Sequence, residues 1–464
     1  MKKIVLEPSY ENLIDTFLKD SISRSSDVCA FVDLLSNVED SISVGLDGKW
    51  GVGKTFFVKQ AKLVLDSFNK NGDFYEAEDA KKIREKYSAL RQNSNVDSVP
   101  EVTAYYDAWM HDDEEEPMLS LLYEIMKDNY NKYPGNSKSW SDILTSVAGV
   151  VCDRDIGTLV KALKGKDIFE EQKQNENLNK LLGSFFESLL PERGNRLVVF
   201  IDELDRCSPV YAVKLLERIK HFFSCENITF VFSINFTELH NTVKNFYGAD
   251  FDACRYMDRF FDIRMEIPSV DMEKYIKVMG DDGGRCPNFR QVVCDEIIKQ
   301  MHMSMREASR FLQMSRACAY KYTDGDQYEN NRIFSHDDGM SELIGYSVIA
   351  QIAIGLKITN AKEYDDFMSG KDSLWLENIL LSDSMDGWVK GYFLSDDEDY
   401  RKIDGRKQVT ELQKIREVYE AIFVKKYARG EYETRIGKLV FEKGFKEKVI
   451  KAIGLVSTYT DYSV

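Results

Sequence analysis

A glycine-rich segment near the N-terminus constrains the fold of this 464-residue chain more than any other part of the sequence. Residues 48–55 read GKWGVGKT, a complete GxxxxGK[ST] pattern. A strand-like run, SISVGL at 41–46, precedes it, and a helical pattern, FFVKQAKLVL, follows it. Glycines let the backbone wrap a phosphate with its amide groups inward, and the next helix adds the positive end of its dipole. The sequence therefore predicts a strand, a phosphate-binding loop and a helix, in that order.

The residue types in this loop are those that the phosphates of a nucleotide and its magnesium ion need. Lys54 can reach the β- and γ-phosphates, and the hydroxyl of Thr55 can be a ligand of Mg²⁺. We therefore predict a nucleotide site formed by the loop and the first residues of its helix. Its members are Gly48, Lys49, Trp50, Gly51, Val52, Gly53, Lys54, Thr55 and Phe56.

Two acids follow a strongly apolar run that has the character of a buried strand. The segment 198–203 reads VVFIDE, so Asp202 and Glu203 stand where that strand would end. Phosphoryl transfer needs a carboxylate near the magnesium ion. We predict that Asp202 orients Mg²⁺ through its waters and that Glu203 polarises the attacking water as general base.

The residues after this pair, LDRCSP at 204–209, predict a turn into a helix. Ser208 and Pro209 can cap and begin that helix. Asp205 and Arg206 have two interpretations: an ion pair that fixes the turn, which we favour, or a direct part in catalysis.

Strand-like runs alternate with helical patterns in the first half of the chain, at 41–46, 99–106, 196–201 and 228–234. This order predicts an α/β fold with a parallel sheet that is flanked by helices. Two charged or mixed segments, near 66–98 and 137–173, are interpreted as helical insertions. The second contains the moderately apolar DILTSVAGVVC, for which an ordinary packed helix is favoured over contact with a membrane.

The second half of the chain has a different character. All eight prolines lie before residue 288, and apolar residues recur at helical spacing in 305–320 and 409–427. Because proline interrupts helices, its absence predicts an all-α C-terminal half.

Composition argues against some classes of protein. Acidic residues number 78 and basic ones 62, a net charge of −16, which disfavours a protein that coats nucleic acid. The eight cysteines form no CxxC pair, and the five histidines no HExxH motif. The first residues lack the apolar stretch of a signal peptide, and no stretch has the length and apolarity of a transmembrane helix. We expect a cytoplasmic, reduced protein.

Six segments together resemble the KAP family of P-loop NTPases, a group that includes the plasmid-encoded phage-exclusion protein PifA. They stand in the family's order between about residues 10 and 320, and the most specific are the loop and the acidic segment. The tryptophans at 50 and 109 occupy characteristic places, and Glu203 stands where a second aspartate is common. The segments are GKWGVGKT, YDAWMHDDEEEP, VVFIDELDRC, FVFSINFTEL, RYMDRFFDIRMEIP and MSMREASRFLQ.

The resemblance implies an AAA/STAND-like ATPase core with a small helical lid, and it implies ATP rather than another nucleotide. On this basis we divide the chain into a core at 1–267, a lid at 268–335 and a helical C-terminal domain at 336–464. The chain departs from the family in two respects. It lacks the transmembrane helices that many members carry, and Ser304 and Met305 stand where Asn-Pro is usual.

Further candidate residues have two interpretations each. Asn235 follows a strand and can contact the γ-phosphate or the attacking water, or can cap the next helix. The arginines at 255, 259, 306 and 310 can add charge at the transition state or form ordinary salt bridges. The resemblance to AAA-like ATPases makes Arg259 a candidate finger toward a neighbouring subunit and Arg306 a candidate sensor in cis.

For two remaining sets of residues, a structural role is the favoured interpretation. The acidic run 112–116 can bind a metal ion, but five adjacent acids in a loop are usually solvated. Trp50 and Trp109 are interpreted as residues that pack or shape loops, with nucleotide stacking as the alternative.

These observations favour an ATP-hydrolysing protein that uses ATP and Mg²⁺ to change its shape or assembly, and the resemblance extends this to defence against phages or plasmids. The alternative is a slowly hydrolysing, nucleotide-gated sensor or scaffold whose C-terminal helical domain binds a protein partner. A DNA-associated motor is disfavoured by the charge. We expect a homo-oligomer, or a partner protein bound through residues 336–464.

Overall fold

The computed structural model describes residues 6–37, 41–91, 101–132, 190, 194–220, 227–279, 289–320, 341, 344–385, 387, 411–437 and 439–457. The chain divides into two compact units, of which the first is Glu7–Asp271 and the second contains Met272–Val464. The predicted boundaries between core, lid and C-terminal domain stay a prediction. The predicted insertion at 137–173 lies outside the described residues.

The first unit is built on a sheet of five parallel strands in the order β2-β3-β4-β1-β5. The strands are β1 (Ile42–Asp47), β2 (Glu101–Asp107), β3 (Arg196–Asp202), β4 (Ile228–Ile234) and β5 (Ile263–Glu266). The fold class predicted from the sequence is confirmed. Strand β3, which ends at Asp202 directly before Glu203, is separated from β1, the strand before the loop, by β4.

Helices connect and cover these strands. They are α1 (Tyr10–Lys19), α2 (Ser25–Ser36), α3 (Lys54–Phe68), α4 (Glu78–Leu90), α5 (Pro117–Lys132), α6 (Pro209–Ile219), α7 (Phe236–Tyr247) and α8 (Ala253–Met257). Helix α4 lies inside the predicted helical insertion at 66–98. Helix α6 begins as predicted, because Ser208 caps it and Pro209 is its first residue.

The central strands of the sheet are buried on both faces, and alternate residues of β3 enter different cores. Every residue of β3 and β4 is buried. Leu197, Val199 and Ile201 of β3 pack in one core with side chains of α5 and α6, whereas Val198 and Phe200 pack in the other with those of α2 and α3. Because side chains alternate along a strand, a continuous apolar run is what a sheet with two covered faces requires.

The carboxyl ends of the central strands meet at one edge of the sheet. Asp107 of β2 is level with Asp202 of β3, Asp202 is level with Ser233 of β4, and Ile234 is level with Asp47 of β1. Ligands of open parallel sheets bind at this edge. The register thus brings the acids of β3 and the loop after β1 to the same side of the molecule.

The second unit is mainly helical in its described part. Its helices are α9 (Met272–Met279), α10 (Phe289–Gln300), α11 (Met305–Tyr320), α12 (Ala350–Thr359), α13 (Ala361–Met368), α14 (Leu374–Leu380), α15 (Glu411–Phe423) and α16 (Phe445–Ser457). Within the residues described, the C-terminal part departs from the all-α prediction in a short antiparallel hairpin of β6 (Glu433–Ile436) and β7 (Leu439–Glu442). A lack of proline predicts helix only weakly, because strands tolerate such sequences equally well.

None of the helices in the described part of the chain combines the length and the apolar character needed to cross a membrane.

Candidate functional site

The loop between β1 and α3 has a backbone that only glycines adopt easily. Gly51 and Gly53 both have φ of 85°, in the left-handed region that side chains with a Cβ disfavour. A Cβ at Gly48 would lie 2.9 Å from Cγ2 of Val52. The amide of Gly48 donates to the carbonyl of Ile234 at 3.0 Å, which fixes the start of the loop to β4. The glycines of the motif are therefore required by the shape of the loop.

Helix α3 begins at Lys54 without a capping side chain. Its N-cap residue is Gly53, which has no side chain to accept from the first amides. The first N–H groups of a helix lack partners within the helix, and the helix dipole is positive there. A phosphate can satisfy both requirements at this end of α3.

The ammonium group of Lys54 folds back over the loop. The side chain is buried, and its Nζ donates to the carbonyl of Gly48 at 2.6 Å and lies 3.7 Å from Oδ2 of Asp205. The indole Nε1 of Trp50 donates to the same oxygen at 2.6 Å. Burial raises the pKa of Asp205, whereas the charge of Lys54 and the bond from Trp50 lower it. Asp205 thus holds the loop and its lysine together.

These contacts revise one interpretation of the sequence and support another. The expected ion pair between Asp205 and Arg206 does not form, because Asp205 faces the loop and Arg206 pairs with Glu203. The residues 204–206 form a single 3₁₀ turn, which points neighbouring side chains in different directions. Trp50 does shape the loop, as the favoured interpretation had it, through its bond to Asp205.

Thr55 and Asp202 lie in direct contact. The hydroxyl of Thr55 donates to Oδ2 of Asp202 at 2.6 Å and lies 3.5 Å from Oε1 of Glu203. Asp202 is fully buried at the end of β3. The three oxygens come from the two segments that the sequence singled out, although 147 positions separate the threonine and the aspartate.

Tyr105 is a site residue that the sequence analysis missed. Its hydroxyl donates to Oδ2 of Asp202 at 2.9 Å, and the amine of Lys59 lies 4.5 Å from the centre of its ring. Burial, and then the charge of Asp202, raises the pKa of Tyr105, so the phenol keeps its proton and donates at neutral pH. A tyrosine in a strand gives no functional signal in a sequence, because such residues are common in cores.

Glu203 has an unusual backbone and an ion pair. Its φ is 62°, in the left-handed region, which is uncommon for a residue with a Cβ. Its Oε2 pairs with Nε of Arg206, and the guanidinium of Arg206 lies 5.5 Å from the ring centre of Trp109. Burial, then the charge of Asp202, raises the pKa of Glu203 to about 7, although Arg206 lowers it. A carboxyl group that exchanges its proton near neutrality suits a general base.

Asn235 caps a helix. Its side-chain oxygen accepts from the amides of Thr237 and Glu238 at 3.1 and 3.4 Å, and the residue is largely buried between β4 and α7. The structure thus supports the capping interpretation. A contact with the γ-phosphate or with the attacking water stays a prediction. It is compatible with the cap, because the cap uses the side-chain oxygen and not the amide nitrogen.

The four candidate arginines are all exposed. Arg255 and Arg259 lie at the surface of the first unit, and Arg306 and Arg310 lie on α11 of the second. Their roles at the transition state stay predictions. Exposure is compatible with a finger that reaches another subunit, which is the role predicted for Arg259.

The acidic run 112–116 is partly structural. Asp112 accepts from the amide of Ser208 at 2.8 Å, and the carboxylate of Glu116 lies 2.6 Å from Nζ of Lys214. Residues 113–115 are exposed, as expected of a solvated loop, whereas Asp112 and Glu116 at its two ends anchor helix α6. Among the described residues, no group of three or more acids, histidines or cysteines could hold a metal ion.

Comparisons with known proteins give one family match and two more limited likenesses. Residues 26–311 match the model of the KAP family P-loop domain, from the start of α2 into α11. An uncharacterized protein of Methanocaldococcus jannaschii is 33% identical over 97 residues, which is 19% of this chain. The chain matches about half the length (50%) of that relative. A structure of the Aeropyrum pernix ORC2 protein in ADPNP-ADP complexes covers 94% of this chain and 95% of its own, with a TM-score of 0.36 and 12% identity.

Proposed function

Because the chain belongs to the KAP family of P-loop domains, we propose that it binds ATP with Mg²⁺, hydrolyses it, and uses the nucleotide state to change shape or assembly. One observation carries this proposal: the hydroxyl of Thr55 lies 2.6 Å from Oδ2 of Asp202 at the end of the glycine-rich loop. That arrangement places a hydroxyl and a carboxylate together beside a helix N-terminus that suits phosphate.

The residues present fit a magnesium ion bound together with a nucleotide. Mg²⁺ prefers oxygen ligands and usually keeps several waters beside one or two protein ligands. Thr55 and Asp202 offer such oxygens, so the lack of a larger acid cluster in the described part of the chain is no obstacle. When bound, Mg²⁺ supplies positive charge that offsets the charge of the phosphates.

The loop residues have separate tasks in this proposal. The amides of the loop and of the start of α3 bind the phosphates, and Lys54 exchanges the carbonyl of Gly48 for phosphate oxygens. Glu203 orients and deprotonates the attacking water. Asn235, Arg259 and Arg306 are proposed to add polar or positive groups around the γ-phosphate, with Arg259 acting on a neighbouring subunit.

A second candidate function has its own support in the structure. The carboxylate of Glu203 is already occupied by Arg206, and this pair is largely buried, with side-chain exposures of 13% and 22%. A general base held in an ion pair favours slow turnover. The alternative is therefore a nucleotide-gated sensor or scaffold whose C-terminal helical part binds a protein partner. A role in defence against phages or plasmids is proposed for either function on the resemblance to the phage-exclusion protein.

Three variants test the proposal. Lys54→Ala is expected to lose ATP binding, whereas Glu203→Gln is expected to bind ATP and lose hydrolysis by a factor on the order of 10² or more. Lys81→Ala, which changes an exposed lysine of α4, is the control. Full turnover by Lys54→Ala would overturn the proposal.

A turnover measurement separates the two functions. An active switch is expected to hydrolyse ATP steadily when purified alone. The sensor is expected to turn over slowly until phage protein, DNA or RNA is added. Native mass measurements with and without a non-hydrolysable ATP analogue report whether the nucleotide changes the assembly.

A further inference from the structure

Arg24 contacts the phosphate-binding loop from the outside. It stands directly before α2 and is 2% exposed, which makes it one of the most deeply buried large side chains of the first unit. Its Nη1 donates to the carbonyl of Val52 at 2.8 Å, and its Nη2 donates to the carbonyl of Pro268. The two bonds leave from opposite arms of one planar group, so they fix the guanidinium plane against the loop.

The chain before Arg24 is shaped to deliver this side chain. Asp20 and Ser23 both adopt left-handed conformations, with φ of 51° and 55°. A carboxylate oxygen of Asp20 accepts from the amide of Ser25 at 3.0 Å, which braces the turn around Arg24. Left-handed residues with a Cβ are uncommon, and they persist where the surrounding contacts determine the backbone.

The charge of Arg24 is retained in spite of burial. Burial lowers the pKa of Arg24 to about 10, and the charge of Asp27 acts in the opposite direction, so the group remains cationic at neutral pH. A buried guanidinium costs desolvation that two bonds to neutral carbonyls only partly offset. Among the described residues, the buried Nε of Arg24 has no hydrogen-bond partner, so part of that cost stays uncompensated. The arrangement therefore calls for a reason in function.

Peptide geometry supplies that reason. In a trans peptide the carbonyl and the next amide point in opposite directions, and the described chain has no cis peptide bond. Because Arg24 holds the carbonyl of Val52 on its own side, the amide of Gly53 points away from Arg24. Gly53 has φ of 85° and no Cβ, so it tolerates rotation of the peptide between Val52 and Gly53 more easily than other residues would. Without Arg24, this peptide would be free to turn.

We propose that Arg24 is a positioning residue for the phosphates: it fixes the peptide between Val52 and Gly53 so that the Gly53 amide faces the bound nucleotide. This inference rests on the proposed nucleotide site and adds a residue 28 positions before the loop residue that it controls. Arg24 touches no substrate in this role, and it acts through the backbone of the loop.

The test compares the dissociation constants of ADP and AMP, measured by calorimetry on the full chain. Arg24→Ala is expected to weaken ADP binding by roughly 10- to 100-fold, the effect of losing a charge-assisted hydrogen bond. AMP binding is expected to change by less than about 3-fold, because AMP lacks the β-phosphate, one of the two phosphates that the loop amides bind. Guanidinium ion at millimolar concentration is expected to restore ADP binding in Arg24→Ala.

Arg196→Lys is the matched control. Arg196 is also buried and also donates to a backbone carbonyl, that of Leu35 in α2, at 3.1 Å, but it lies at the start of β3, at the opposite edge of the sheet. Arg24→Lys keeps the positive charge and most of the bulk but lacks the planar guanidinium group. It therefore tests the geometry of the two bonds with little disturbance of the fold. We expect Arg24→Lys to weaken ADP binding and Arg196→Lys to leave it unchanged.

The outcomes are distinct. Three results would each overturn the inference. They are equal losses of affinity for ADP and AMP, wild-type ADP affinity in both Arg24 variants, and failure of guanidinium to restore ADP binding in a folded Arg24→Ala protein. If the unaltered chain binds neither ADP nor ATP, the proposed function fails as well. If it binds both and Lys54→Ala does not, only the role of Arg24 is in question.

Discussion

The indole nitrogen of Trp50 donates a hydrogen bond of 2.6 Å to Asp205, which joins the phosphate-binding loop to the turn that follows β3. The two residues are 155 positions apart in the chain. Because Asp205 also lies 3.7 Å from the ammonium group of Lys54, this one carboxylate orders both the loop and its lysine before any nucleotide arrives. Such preorganisation lowers the entropy that binding must overcome.

Trp50→Phe removes this bond and keeps an aromatic ring. We expect the dissociation constant for ATP to rise about 5-fold, since a single hydrogen bond contributes about 1 kcal/mol. Trp375→Phe is the matched control, because the indole of Trp375 also donates to a carboxylate, that of Glu363, but in the second unit. An equal loss of affinity in both variants would contradict the role of the bond.

Tyr105→Phe removes the phenol that donates to Asp202. Asp202 then keeps Thr55 but loses a donor that fixes its carboxylate, so we expect kcat/KM for ATP to fall about 10-fold, with little change in stability. Tyr106→Phe serves as the control, because Tyr106 is bonded to Ser120 and Tyr211 instead. That variant is expected to lose stability and to keep its activity per folded molecule.

Glu101→Gln tests a buried acid away from the site. Glu101 is 3% exposed, and its Oε2 has no hydrogen-bond partner among the residues that the structure describes. Burial raises its pKa from 4.5 to about 7, although Arg196 and Ser36 lower it. Because the folded state binds the proton more tightly than the unfolded state, Glu101 destabilises the fold fully above pH 7, and this cost disappears as the pH falls toward 4.5.

The expected difference is measurable by urea unfolding at pH 5 and pH 8. Relative to the unaltered chain, Glu101→Gln should gain about 2–3 kcal/mol more free energy of unfolding at pH 8 than at pH 5. Glu85→Gln, at an exposed position of α4, should show no such dependence. The same gain at both pH values would rule out the ionised carboxylate as its cause.

Gly45→Ala tests the packing of β1 against α7. A Cβ at Gly45 would lie 2.5 Å from Cζ of Phe236, whose ring stacks edge-on against Phe261 with centroids 4.9 Å apart. The ring cannot move without disturbing that contact, so we expect a loss of about 1–3 kcal/mol in the free energy of unfolding. The double variant with Phe236→Leu should recover part of the loss, and its failure to do so would place the strain elsewhere.

The sequence by itself determined the parts of this protein that local patterns encode. The loop at 48–55 and the acids at the end of β3 follow from residue type and from alternation of apolar runs with helical patterns, and so does the parallel sheet. Even the contact of Thr55 with Asp202 was predictable, because parallel strands end at one edge of the sheet and the loop leaves from the same edge.

Only the tertiary structure decided which other side chains contact the loop and the acids at the end of β3. Tyr105 reaches Asp202 from the neighbouring strand β2, Arg24 reaches Val52 from the turn before α2, and Asp205 turns to Trp50 instead of to its neighbour Arg206. Each of these contacts depends on strand order and on the direction in which a side chain leaves its element. The spacing of residues along the chain encodes neither strand order nor side-chain direction. Residues that are distant in sequence become neighbours only when the sheet forms and the helices pack on its two faces.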